Sequence, residues 1–284
     1  MTLVMTGKEV ADKLVKETKM DLSNLSEENI IPHLAIIRAG DDPGSIAYEN
    51  GLKKRFSEIG LEVDSFVFSE GIEEEEFLKE FDKINTDEEI HAILVLRPLP
   101  EHLDTNKVSE RINPLKDVDG MSPTNLGKIL LNNDDGLISA TPAGVMKMLD
   151  FYDIKLEGKD VVIIGHSEVV GKPLSILLLN KNATVTVSHI YTKDTEEIAK
   201  KADILITATG AAGLVTKDFV KEDAVVIDVG ISRIDGEIYG DVKYDEVSEK
   251  AGQITPVPGG VGAVTTSMLA SNVIKATKLL TSKN

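Results

Sequence analysis

Four stretches of this 284-residue chain carry residue types at spacings that could do chemistry. The first is Val161-Val162-Ile163-Ile164-Gly165-His166-Ser167-Glu168-Val169-Val170-Gly171-Lys172-Pro173, a buried strand, a turn and then a helix start. Backbone N–H groups at a helix N-terminus carry partial positive charge, and Gly165 lets phosphates approach, so the stretch has the geometry of a pyrophosphate site. The spacing is not the standard G-x-G-x-x-G: Ser167 stands where the second glycine would be, and Gly171 comes one position late. An ordinary strand-to-helix turn remains the alternative. Sites specific for NAD place Asp or Glu about 20 residues on, at the end of the next strand, to hold the ribose hydroxyls. Here that place reads Ser188-His189-Ile190-Tyr191-Thr192-Lys193. No carboxylate is there to repel a 2′-phosphate, which favours NADP, while Ile190 offers no hydrogen bond to grip one and leaves NAD usable. His166 and His189 could add charge near a phosphate or pack as neutral imidazoles at strand ends.

The second stretch, Thr255-Pro256-Val257-Pro258-Gly259-Gly260-Val261-Gly262, is too rich in Gly and Pro for a helix or a central strand, yet it opens into an apolar helix. Its glycines permit positive φ and close backbone approach while its prolines stiffen it, which suits a flat ligand or a plain connector. The third, Asp41-Asp42-Pro43-Gly44-Ser45-Ile46-Ala47-Tyr48, runs from a strand end into a helix. It would place Ser45 at a cap and Tyr48 on the first turn, at the carboxyl edge where α/β sheets bind ligands; a cap with a half-buried tyrosine would read the same way. The fourth, Asn113-Pro114-Leu115-Lys116-Asp117-Val118-Asp119-Gly120, is a polar loop with two carboxylates that could serve a ligand or stabilise a turn.

These stretches need a scaffold, and the chain alternates strand and helix as parallel sheets with crossover helices do. Strands are expected at 33–38, 62–68 and 91–96, with amphipathic helices at 7–25, 45–59 and 73–84 between them. The second half repeats the pattern with short β-branched runs at 160–165, 184–188, 203–208 and 224–229 that look buried, and is the better Rossmann candidate. A boundary is expected near Thr141-Pro142, where a helix at about 143–151 leads into the second sheet.

Composition narrows the function classes. The length suggests two domains, and 42% apolar residues suffice for their cores. With no Cys, neither disulfides nor thiolate metal sites nor Cys nucleophiles are available, and no metal site is expected. A net charge of −17, from 48 acidic and 31 basic residues, would repel nucleic acid and anionic lipid. The acidic run Glu73–Glu76 precedes Phe77, Leu78 and Phe81 at helical spacing and reads as a solvated first helical turn. No leader-like N-terminus and no run of membrane-spanning length is evident, so a cytoplasmic protein is expected.

Taken in order, the motifs resemble the methylenetetrahydrofolate dehydrogenase/cyclohydrolase family from about residue 30 to 275. The match runs through Ser45-x-x-Tyr48, Val95 to Pro100, Lys116 to Gly120, Thr141-Pro142, Gly165-His166-Ser167 to Gly171-x-Pro173, Asn182 to Thr186, Asp228-Val229-Gly230-Ile231 and Thr255 to Gly262. The resemblance implies an α/β fold: an N-terminal folate domain (1–140, completed by a C-terminal helix at 263–284), a Rossmann-like NADP domain (141–262) and a cleft between them, usually in a homodimer. It implies tetrahydrofolate derivatives as substrates, with Tyr48 against the folate rings and Asp119 on the amino-pyrimidine edge of the pterin. Ser45, Val95, Arg97, Pro258, Gly259 and Gly260 would complete the folate site, and Gly165, His166, Ser167, Ile190 and Ile231 would contact the dinucleotide.

Two departures strike one catalytic dyad. Four residues after its tyrosine the family carries a catalytic lysine, and this chain has Leu52, followed by Lys53 and Lys54. Successive helix positions point about 100° apart, so Lys53 is no simple substitute. The family's V-Q-L-P-L-P becomes Val95-Leu96-Arg97-Pro98-Leu99-Pro100, with Leu96 in place of the glutamine that orients that lysine. Arg97 would fall on the opposite strand face from Leu96. Hydride transfer from the methylene carbon asks the protein mainly for alignment, whereas adding water to the methenyl bridge needs a proton carrier. The sequence therefore reads as an NADP-linked methylenetetrahydrofolate dehydrogenase whose cyclohydrolase activity is doubtful; a bifunctional enzyme with a rearranged dyad and a non-catalytic folate or nucleotide-binding module are the rivals.

Overall fold

The computed structural model describes residues 2–282, so Met1 and the last two residues of the expected C-terminal helix, Lys283 and Asn284, lie outside the described residues. From the N-terminus the elements are β1 (Leu3–Val4), α1 (Gly7–Glu27), β2 (His33–Ala39), α2 (Pro43–Ile59), β3 (Glu62–Phe68), α3 (Glu74–Thr86) and β4 (Ala92–Val95). Next come α4 (Thr105–Arg111), α5 (Pro123–Leu130), α6 (Ala140–Phe151), β5 (Asp160–Ile164), α7 (Gly171–Leu179), β6 (Thr184–Ser188), α8 (Thr195–Ala199) and β7 (Ile204–Thr207). A 3-10 turn at Lys217–Phe219 then leads to β8 (Val225–Asp228), β9 (Ser232–Ile234), β10 (Glu237–Tyr239), α9 (Tyr244–Ser248), β11 (Gln253–Ile254) and α10 (Val261–Thr281). The chain divides into two compact units, one of residues up to Lys13 with Thr141–Met268, the other of Leu14–Ala140 with Leu269 onward.

The unit built on Thr141–Met268 holds a six-stranded sheet in the order β1-β11-β8-β7-β5-β6, every neighbouring pair parallel. Strands covered on both faces must be apolar throughout, and Val161–Ile164 and Ile204–Ile206 are buried side chains without alternation. The chain leaves β5 to one side for β6 and returns on the other side for β7, so the strand order reverses at β5. In open α/β sheets such a reversal opens a ligand crevice at the carboxyl ends of the strands. At the far edge, Leu3 and Val4 pair with Gln253 and Ile254. Residues 2–13 therefore group with this sheet.

In the other unit a parallel sheet runs β3-β2-β4, with an isolated bridge from Ile93 to Asp117. Here too the order reverses, between β2 and β4, so the loops after these strands share one edge. Phe77, Phe81 and Ile84 of α3 and Val108 of α4 pack with Ala35, Ile37, Ile93 and Val95 of the sheet into a continuous core. The C-terminal part of α10 is fastened within this unit: Asn272 donates to the carbonyls of Val118 (2.8 Å) and Ile138 (2.7 Å), and Lys275 donates to those of Asp134 and Gly136.

Candidate functional site

At the reversal point of the six-stranded sheet, β5 is followed by Gly165 with φ +125°, a conformation open to glycine, and the Gly165 N–H donates to the Ser188 carbonyl (2.8 Å). A side chain on Gly165 would overlap the Ala208 carbonyl oxygen, and one on Gly171 would lie 2.8 Å from the Gly165 carbonyl carbon. The two glycines thus let the start of α7 and the end of β7 close around one turn. Ser167 Oγ accepts from the Val170 N–H (3.2 Å), while the N–H groups of His166, Ser167, Glu168 and Val169 donate to no group among the described residues. Four donors left open in the loop that leads into α7 suit an anionic phosphate. Beside them the rings of His166 and His189 lie 4.6 Å apart, and His189 Nδ1 accepts from the Tyr191 N–H (3.2 Å). Ile190 is 88% exposed, free to meet a ligand but not to hydrogen-bond one.

Further along the same edge, Pro256–Gly260 borders a cavity of about 290 Å³ together with Asp228, Gly230, Ile231 and Ile238. Gly259 takes φ +103°, and a side chain on Gly260 would lie 2.5 Å from the Pro256 carbonyl oxygen, so the loop is folded tightly on itself. Two buried aspartates that the sequence reading did not single out as structural shape this edge. Asp228 accepts from Thr207 Oγ1 (3.1 Å) and from the N–H groups of Gly230, Asp241 and Val242; Asp241 accepts from the N–H groups of Thr209 and Ala211. Burial pushes the Asp228 carboxyl up, and these backbone donors pull against it. The available signal was position, and only for Asp228: a carboxylate closing an apolar strand.

At the edge of the three-stranded sheet, the cap of α2 is Asp42 and not Ser45, because Pro43 takes the first helical position, where its missing N–H costs nothing, and Asp42 Oδ2 accepts from the Ser45 N–H (2.7 Å). Ser45 is thereby turned inward, its hydroxyl 3.5 Å from the Arg97 carbonyl oxygen. One turn on, Tyr48 is 42% exposed; burial, and then the charge of Asp119, push its hydroxyl up to about 12. A further turn brings Leu52, 1% exposed, while Leu96 at the end of β4 is 5% exposed and Val95 is buried. Lys53 is not directed to this edge but pairs with Glu49 (2.8 Å), which also accepts from Arg38 (3.0 Å) and Ser65 (2.5 Å).

The two carboxylates of the 113–120 loop have separate duties. Asp117, fully buried, accepts from the N–H groups of Met121 (3.0 Å) and Ser122 (2.8 Å) and from Asn125 Nδ2 (2.9 Å), and so holds the turn into α5. Asp119 instead meets Arg97 Nη2 (3.0 Å) and Ser139 Oγ (3.2 Å). Arg97 lies beyond the end of β4 and reaches Asp119 from there. Ser45, Tyr48, Arg97 and Asp119 thus gather at one sheet edge, and Gly165, His166, Ser167 and Ile190 at another. No group of three or more His, Asp or Glu able to hold a metal occurs among the described residues.

Residues 5–119 match the model of the tetrahydrofolate dehydrogenase/cyclohydrolase catalytic domain, and residues 139–281 that of the NAD(P)-binding domain of the same family. The chain is 47% identical to the bifunctional protein FolD of Fusobacterium nucleatum over 277 residues, 97% of this chain and 98% of that one. It superposes on the bifunctional FolD methylenetetrahydrofolate dehydrogenase/cyclohydrolase of Campylobacter jejuni with a TM-score of 0.96 at 42% identity, covering 98% and 99% of the two chains. The FolD enzyme of Trypanosoma brucei, solved with NADP and an inhibitor, superposes at a TM-score of 0.92 and 33% identity, with 98% of each chain covered.

Proposed function

This chain belongs to the tetrahydrofolate dehydrogenase/cyclohydrolase family, and on that premise we propose that it oxidises 5,10-methylenetetrahydrofolate to 5,10-methenyltetrahydrofolate with NADP and leaves the methenyl bridge largely unhydrolysed. The observation that carries the second clause is the state of α2. Leu52 is buried one turn beyond Tyr48, and the neighbouring Lys53 is spent on Glu49, so neither position directs an ammonium to this edge. A general acid or base contributes about two to four orders of magnitude to a step that needs proton transfer.

The dehydrogenase step needs no such group. As hydride leaves the methylene carbon, a folate nitrogen lone pair closes the C=N bond, and NADP supplies the hydride acceptor; the protein has to align the two. The carboxylate of Asp119 suits the paired N–H donors of a pterin, and Tyr48 offers a flat face for its rings. The open N–H groups of residues 166–169 suit the pyrophosphate, with Gly165, Ser167 and Ile231 along it and His166 and Ile190 nearest the ribose phosphate. Pro258, Gly259 and Gly260 would then line the folate pocket, beside the nicotinamide. Residues 1–140, completed by the C-terminal helix, would serve as the folate domain and 141–262 as the dinucleotide domain. None of the described helices is long and apolar enough to cross a membrane, and we place the enzyme in the cytoplasm as a homodimer, which sedimentation equilibrium would test.

The deciding experiment follows NADPH and methenyltetrahydrofolate together after mixing enzyme, NADP and methylenetetrahydrofolate. Both should rise in parallel, with the methenyl product persisting. Hydrolysis well above the uncatalysed rate would make the enzyme bifunctional, and no NADP reduction would leave a binding module.

A further inference from the structure

We propose that Arg97 is a positioning residue that holds Asp119 for the pterin, as the counter-ion that Leu52 does not supply. The inference rests on the folate reading above. Both oxygens of Asp119 are engaged, Oδ2 by Arg97 Nη2 at 3.0 Å and Oδ1 by the Ser139 hydroxyl at 3.2 Å. The charged and titratable neighbours that bear on this carboxylate are Arg97 after β4, Asp117 on its own loop and the Tyr48 phenol on α2. Of these only Arg97 is a cation. The other basic groups nearby are committed elsewhere: Lys53 and Arg38 to Glu49, and Lys116 Nζ to the Asp87 carbonyl (2.5 Å).

Burial pushes the Asp119 carboxyl up, Arg97 pulls it down through its charge and its hydrogen bond, and the charge of Asp117 pushes it up again. The protonation state matters for recognition. An ionised carboxylate accepts at both oxygens, as the amino-pyrimidine edge requires; a protonated one turns a donor toward a donor and loses half of the match. The choice of arginine also fits the chemistry proposed above. A guanidinium is not deprotonated in proteins, so Arg97 can supply charge and geometry but cannot shuttle a proton as an amine can. The pocket thereby keeps a cation for binding while lacking a group for water addition. Arg97 is positioned for this by its own main chain, whose carbonyl lies 3.5 Å from the Ser45 hydroxyl on α2, and its side chain is 32% exposed, so substitution leaves no buried void.

The test is tetrahydrofolate affinity by calorimetry from about pH 5.5 to 8.5, at fixed NADP, for the full chain and for Arg97→Leu, Arg97→Gln, Arg97→Lys and Asp119→Asn. Affinity of the unmodified chain should fall toward acid as Asp119 takes up a proton. In Arg97→Leu and Arg97→Gln that fall should begin at higher pH, so their deficit widens as the pH is lowered, by about tenfold for each pH unit that the fall moves. Arg97→Lys, which keeps the charge, should retain most of the original profile, and Asp119→Asn should bind weakly with none of this dependence. A merely structural role would lower affinity equally at all pH values. Parallel profiles for the unmodified chain and Arg97→Leu would overturn the inference alone, whereas no tetrahydrofolate binding by the unmodified chain would overturn the folate reading with it. If Arg97→Leu fails to fold, the Gln and Lys variants carry the same comparison.

Discussion

Gly171→Ala should separate the two ligands cleanly. Gly171 opens α7 against the turn that leaves β5, and the space around it is closed by main chain: an added methyl would overlap the Gly165 carbonyl oxygen and lie 2.8 Å from the Gly165 carbonyl carbon and 2.9 Å from His166 Cα. Gly165 cannot step back, because its N–H is bonded to Ser188 and the neighbouring Ala208 N–H is bonded to Ile164, both at 2.8 Å, and its own far side faces the Ala208 carbonyl. Carbon atoms rest about 3.5–4.0 Å apart, so relief requires the first turn of α7 to retreat by roughly 1 Å. Overpacking of that size costs about 1–3 kcal/mol. At about 2–4 °C per kcal/mol for a protein of this size, Tm should fall by about 2–12 °C. The same retreat shifts the adjoining loop of residues 166–169, whose N–H groups are proposed to meet the phosphates, and a displacement of about 1 Å can lower catalysis by about 100-fold. The assay is calorimetric titration with NADP, since the chain has no Trp for fluorescence, together with a tetrahydrofolate titration that should be unchanged. Gly51→Ala is the control: Gly51 lies inside α2 with nothing within 4 Å of the position a Cβ would take. It should stabilise by about 0.5–1 kcal/mol, since glycine inside a helix is costly. Unaltered NADP affinity and Tm in Gly171→Ala, or the same sign of change in both variants, would refute the reasoning from available space.

Three further outcomes are expected. Leu52→Lys with Leu96→Gln should raise methenyltetrahydrofolate hydrolysis toward the two to four orders of magnitude typical of an acid/base group, at a stability cost because both positions are buried; a folded double variant with no gain in hydrolysis would place the missing proton carrier elsewhere. Ile190→Asp, at a position 88% exposed, should lower the NADP over NAD preference in kcat/KM by about tenfold, because a carboxylate there would repel the 2′-phosphate; an unchanged ratio would remove residue 190 from the cofactor site. Burial pushes the Glu49 carboxyl up, but hydrogen bonds from Lys53, Ser65 and Arg38 outweigh it and bring it down from 4.5 to about 2. A depressed carboxyl stabilises fully above its unfolded value, so about 3 kcal/mol should be lost as pH falls from about 4.5 toward 2; Glu49→Gln should weaken this acid dependence in Tm measurements, and an identical acid limb would contradict it.

Much of the architecture was written in local pattern. The uninterrupted apolar runs Val161–Ile164 and Ile204–Ile206 read as strands covered on both faces, and β3, β5 and β6 begin where the β-branched runs place them. The same pattern placed α1, α2, α3 and α6 to within three residues at each end, because one buried stripe per helix is a local property, whereas the bounds of α10 came from the family resemblance. It did not show β1 or β11, two residues each, whose strand character comes from pairing between positions some 250 residues apart. Nor did it show the β9–β10 hairpin or α5.

In the candidate site the residue types were legible and their partnerships were not. Sequence placed Tyr48 and Leu52 on one helix face, since spacing of four residues fixes that. It could not tell which carboxylate of Asp117 and Asp119 holds the turn and which faces Arg97, because both satisfy the same local rules and only the approach of Asn125, Ser139 and Arg97 separates them. Whether Ser45 or Asp42 caps α2 turned on where Pro43 let the helix begin. Lys53 could have reached several acids, and the buried Glu49 took it because Arg38 and Ser65 had already fixed that carboxylate in place. Local sequence determines which surface of an element is buried; long polar side chains choose among distant partners only once the tertiary fold has set which of them are within reach and screened from water.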